Sequence, residues 1–182
     1  YKHGDIDSMK EILGKLHVLG NSKAPESLIQ YYTSLLDKMH PRFFNHVDLW
    51  LKKNQADTFG EIDLDKNTLH ISLAKRTSKV HFSEAEVYMH EVIHSITSWA
   101  FRQQAINIGG IRTALNQAMD VAKQHIKWQD FLPLDEEQAK KKKKEQATAL
   151  MEYIFTSKNS AEEFMAYALT NPVLLKRLQE IK

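Results

Sequence analysis

The sequence contains no cysteine. That excludes disulfides, thiolate metal sites and thiol catalysis together. Any metal would have to be held by His, Asp or Glu, and the absence fits a reducing compartment. Glycine and proline are scarce, 6 and 4 among 182 residues, and they are scattered, so helices are expected to dominate. No apolar run reaches the roughly 18 residues that a membrane-spanning helix requires. No charged-then-apolar leader opens the chain. The first residue is Tyr1 rather than Met, which reads as a fragment of something longer or a processed product. Net charge is nearly absent too. A formal +2 gives no basis for a nucleic-acid partner.

What is present is ordinary for a folded domain: 42% hydrophobic and 26% charged residues. One domain is expected over residues 1–182, with 1–44 as an N-terminal helical part and 45–182 as the core. Met9, Ile12, Leu13 and Leu16 recur at helical spacing within Ser8–Leu19. Pro25 and Glu26 open a second helix that runs to about Met39. Asn45–Leu51 could form a strand. Phe59–Leu64 and Thr68–Leu73 read as a β-hairpin, with Leu69, Ile71 and Leu73 alternating against Thr68, His70 and Ser72. Ser83 and Glu86 form a capping box, flanked by the staple positions Phe82 and Val87. The helix they open is expected to run from about Glu84 to Asn107 and stop at Gly109-Gly110. Helices are then predicted over Ile111–Gln129, from the caps Asp135 and Gln138 to Thr156, from Asn159 or Ser160 to Asn171-Pro172, and over Val173–Ile181.

The chemistry is concentrated in His90-Glu91-Val92-Ile93-His94. Histidines four apart on a helix stand one turn apart on one face, so both imidazoles can reach one ion. The glutamate between them points about a quarter-turn round and meets a water rather than the metal. One zinc ion per chain is the expected cofactor, with His90 and His94 as ligands and Glu91 as general base. Two histidines on a helix can also be no more than a solvated face. Here the pattern sits on a well-capped helix and is flanked by Val87, Val92, Ile93 and Ile96, so its charges need a reason.

A third ligand is required. Extension of the motif along the same helix would need Gly at position 97 and His at 100, where this chain has Thr97 and Ala100. A carboxylate from a later helix remains. Within Ser160–Ala168, the small residues Ala166 and Ala168 would permit close approach to the motif helix, and Glu163 is the chosen ligand with Glu162 in reserve. Capping competes with that role for both: Ser160 with Glu163, and Asn159 with Glu162, each have capping-box spacing.

These residues, His90 to Ser95 and then Glu163-Phe164-Met165-Ala166-Tyr167-Ala168-Leu169-Thr170-Asn171-Pro172, resemble the zincin-like, gluzincin-type domains found in large polyvalent proteins of phages and other mobile elements. The resemblance covers about Phe59 to Leu178. It implies an α+β, mainly helical, zincin-like fold, with a small antiparallel sheet or hairpin packed on the motif helix. It implies a zinc metallopeptidase acting on a polypeptide substrate, the parent polyprotein being one option, and a cytoplasmic or virion-associated location. No nucleic-acid and no membrane partner is expected. Such domains often carry a second glutamate where this chain has Tyr167. In zincins an edge strand before the active-site helix binds peptide by β-addition, and Thr68–Leu73 is the candidate.

Tyr167, four residues after Glu163, could hydrogen-bond a ligand histidine or steady an oxyanion, which makes it a second candidate catalytic residue; a core tyrosine is the bland alternative. Tyr153, His125 and His81 are weaker candidates for the same role. The run Lys140–Lys144 reads as a solvated helix face rather than a polyanion site. The competing functional class is a catalytically silent structural or interaction domain that keeps the metal. A non-peptidase zinc hydrolase is a third. Retention of Glu91 favours the enzyme.

Overall fold

The computed structural model describes residues 6–19, 24–39, 48–52, 60–63, 68–72, 83–102, 108–131 and 140–181. It divides into two compact units, one made of residues 1–77 with 81–102 and the other of 78–80 with 103–182.

The first unit contains α1 (Ile6–Leu19), α2 (Glu26–Asp37), three short strands and α3 (Glu84–Arg102). On α1 the residues Met9, Ile12, Leu13 and Leu16 recur at i, i+3, i+4 and i+7, and all four are buried. On α2, Ile29, Tyr32 and Leu36 do the same. Pro25 stands at the N-cap of α2, where its fixed φ suits entry to a helix. Lys10 on α1 pairs with Asp37 at the end of α2. The two apolar stripes pack with Ala85, Val87, Tyr88, Met89 and Val92 of α3 into one core cluster.

The start of α3 carries a reciprocal pair of side-chain capping bonds. The Ser83 N–H donates to Glu86 Oε2 at 2.7 Å, and the Glu86 N–H donates back to Ser83 Oγ at 3.2 Å. The predicted capping box is therefore formed, and it is buried. Two N–H groups that the first helical turn leaves without intrahelical partners are satisfied reciprocally.

The strands are β1 (Asp48–Lys52), β2 (Gly60–Asp63) and β3 (Thr68–Ser72), in the order β1-β3-β2. β2 and β3 pair antiparallel with Ile62 opposite Leu69, so the predicted hairpin is present in the backbone. Two other expectations are corrected. β1 runs parallel to β3, with Trp50 opposite His70, so the sheet is mixed rather than antiparallel. β3 is also the central strand, not an edge. Its hydrogen-bonding groups are engaged on both sides, which removes Thr68–Ser72 as a strand that could accept a peptide by β-addition.

The second unit is helical throughout its described residues: α4 (Ile108–His125), a 3-10 turn (Trp128–Phe131), α5 (Lys140–Thr156), α6 (Ser160–Thr170) and α7 (Pro172–Gln179). Its core joins Met119, Ala122 and Ile126 to Ile154, Phe155, Phe164 and Leu174. Phe155 and Phe164 meet with ring centroids 5.8 Å apart. Asn171 serves α7 as its N-cap: its side-chain oxygen accepts from the Leu174 N–H at 2.9 Å, and Pro172 follows in the first turn. The Asn-Pro pair is thus a helix-to-helix joint.

The α+β, zincin-like fold class is overturned by where the core lies. Among the described residues, both clusters of buried residues are built from the helices. The strands are described as a backbone ladder alone. By its described core the protein is all helical. The alternation in Thr68–Ser72 predicts a strand correctly, but strand formation and a sheet-based core are separate matters. The long apolar stripes with 3.6-residue period lie elsewhere. A further difference concerns Gly109-Gly110. They fall in the first turn of α4 rather than ending the helix before it, and a Cβ added at Gly110 would meet nothing within 4 Å. The expected helix starts at Asp135 and Gln138 lie outside the described residues. Among the described residues no helix is long and apolar enough to cross a membrane.

Candidate metal centre

His90, Glu91 and His94 lie on α3, within three turns of its capped start. The apolar residues around them are deeply buried: Met89 and Val92 are fully enclosed and Ile93 nearly so. His94 is only 8% exposed, while His90 and Glu91 are half-buried. The four-residue spacing brings the two imidazoles face to edge, with ring centroids 4.6 Å apart and planes inclined at 78°. Immediately beyond the motif, Ser95 donates to the Val92 carbonyl at 2.7 Å and Thr97 to the Ile93 carbonyl at 2.9 Å. Their hydroxyls bond back into the preceding turn, so they add no exposed polar group to a buried stretch.

Glu163 lies in the first turn of α6 and is 8% exposed. The N-cap of α6 is Asn159, which makes no side-chain capping bond, and Ser160 is already inside the helix. Neither capping box proposed for this segment is formed. The two adjacent carboxylates are spent differently. Glu162 meets the exposed Arg112 of α4 at 3.4 Å, whereas Glu163 accepts a hydrogen bond at 2.6 Å from the Tyr153 hydroxyl of α5. A phenol that donates to a carboxylate favours its charged form, the form a metal ligand needs.

His90, His94 and Glu163 each offer a ligand atom, and these atoms all lie within 4.8 Å of one another. The triad is close enough to hold a metal ion. Three donors at about 2 Å from one tetrahedral ion stand roughly 3–4 Å apart. Two imidazoles with one carboxylate is a donor set that divalent transition metals accept.

No family model, curated protein or solved structure matches the chain.

The remaining candidates are placed as follows. Tyr167 is on α6, one turn beyond Glu163, and is half-buried against the second core cluster. Tyr153 is 50% exposed on α5 and its hydroxyl donates to the Glu163 carboxylate. His125 is exposed at the end of α4. His81 lies outside the described residues. Lys144 is exposed on α5, while the side chains of residues 140–143 are outside the description. The contact between Tyr153 and Glu163 had no signature in the sequence, because it joins two helices and depends on how they pack.

Proposed function

We propose that the protein is a zinc-dependent endopeptidase. The observation that carries this reading is the approach of His90, His94 and Glu163 to within 4.8 Å, with Glu91 on the same helix between the two histidines. A retained metal site alone does not call for Glu91, and hydrolysis does.

His90 and His94 would hold the ion through ring nitrogens, and Glu163 through a carboxylate oxygen. Once bound, zinc would lower the pKa of a water to about 7 and polarise a carbonyl. The chain's own residues do the rest. Glu91 takes a proton from the attacking water as its oxygen bonds to the peptide carbon. It then passes that proton to the departing nitrogen as the C–N bond breaks, so one water is consumed and a carboxylate and an amine are released. Metal binding requires both imidazoles in their neutral form.

The test pairs metal content with cleavage. The purified protein is expected to hold one zinc per chain and to generate new N-termini in a mixture of unfolded polypeptides. Glu91→Gln should keep the zinc and abolish the cleavage. A wild-type protein that takes up no zinc at neutral pH would sink the proposal. Zinc binding with no cleavage would retain the metal site and remove the enzyme.

A further inference from the structure

The geometry points to Tyr153 as the residue that positions the metal-binding carboxylate, an inference that rests on the metal reading of Glu163. Tyr153 comes from α5 and Glu163 from α6, and the phenol donates to Oε1 at 2.6 Å. That length is typical of a charge-assisted O–H···O⁻ bond, which is stronger than one between neutral groups. A glutamate has three rotatable bonds, and a lone ligand glutamate must lose that freedom when metal binds. Tyr153 removes much of it beforehand. By engaging one oxygen it fixes the carboxylate plane and leaves the second oxygen to coordinate, so Glu163 is a one-oxygen ligand of set direction.

Two further features separate this role from simple packing. Tyr153 is 50% exposed, so it contributes little to the core. The neighbouring Glu162, equally charged and one residue away, is directed to Arg112 and does not compete for the phenol. Tyr153 is therefore a positioning residue that acts through Glu163. Groups that orient metal ligands in this way typically change metal affinity by about 10–100-fold.

The test measures zinc affinity by competition with a chromophoric chelator, the visible absorption of the cobalt-loaded protein, and thermal unfolding of the metal-free protein. Tyr153→Phe keeps the ring and removes the hydroxyl. It is expected to weaken zinc binding about 10–100-fold and to shift the cobalt bands, with metal-free unfolding lowered by no more than the loss of one hydrogen bond. Wild-type affinity and an unaltered cobalt spectrum in Tyr153→Phe would overturn the positioning role while leaving the metal site standing. A metal-free variant that unfolds markedly earlier would also overturn it, in favour of a structural role. A wild-type protein that binds neither zinc nor cobalt would remove both this inference and the metal reading beneath it.

Discussion

Replacing Glu163 with Gln is the sharpest perturbation of the site, because it changes charge and almost nothing else. Gln has the volume of Glu, and its amide oxygen can still accept the Tyr153 hydroxyl that lies 2.6 Å from Oε1. What is lost is the anionic ligand. Structural zinc sites with four protein ligands bind with an apparent free energy of about 10–16 kcal/mol, so one ligand accounts for roughly 3 kcal/mol. At about 1.4 kcal/mol per decade, Glu163→Gln should weaken zinc binding roughly a hundredfold. Glu162→Gln is the matched control. It removes only the 3.4 Å contact with Arg112, whose side chain is 51% exposed. Exposed pairs of that kind contribute about 0–1 kcal/mol, and zinc affinity should not move. Competition titration with a chromophoric chelator at neutral pH reads both variants. Equal affinities, or a larger loss from Glu162→Gln, would refute the assignment of Glu163 as the third ligand.

The motif was legible in the sequence because its chemistry is local. His90, Glu91 and His94 sit within two turns, and helical geometry alone decides that the two rings share a face. The capping box at Ser83 and Glu86 was legible for the same reason. The choice between Glu163 and Glu162 was harder, since it depends on which way one turn of α6 faces. The sequence could offer only small residues, Ala166 and Ala168, as a sign of close packing. Arg112 and Tyr153 settle how the two carboxylates are used, yet they are fifty and ten residues away from their partners on other helices. The fold class failed at a different step. The strands were found, but β-strand alternation says that one face is half-buried, not that a sheet carries the core. Strand order was equally out of reach: nothing in Thr68–Ser72 says that Asp48–Lys52 will pair along its other side. Gly109-Gly110 misled because glycine is read as a helix stop, whereas in a first turn with open space around it a glycine costs little.

Three further outcomes test the frame that holds the site. Ser83→Ala removes the oxygen that accepts the buried Glu86 N–H and should cost about 1–2 kcal/mol, measured by urea unfolding; an unchanged midpoint would show that the cap is dispensable. Gly14→Ala places a methyl on an exposed mid-helix position of α1 where a Cβ meets nothing within 4 Å, and it should stabilise by about 0.5–1 kcal/mol; destabilisation would mean that α1 is not helical there. The last concerns alkaline pH. Tyr32 and Tyr88 are fully buried, and burial pushes both phenols above their ordinary range, with the carboxylate of Glu86 and then Tyr31 adding to the effect at Tyr32. An unfolded chain releases these protons near pH 10, while the folded chain retains them. The folded-state pKa is the higher one, so the stability it contributes is complete below about pH 10 and is lost as pH rises beyond it. Each tyrosine should remove roughly 1.4 kcal/mol per pH unit in that window, so the urea midpoint should fall steeply there. Tyr32→Phe has no proton to release and should fall about half as steeply. If tyrosinate absorbance instead develops fully near pH 10 while the protein stays folded, the two phenols are not enclosed, and the packing of α1 and α2 on the motif helix would have to be redrawn.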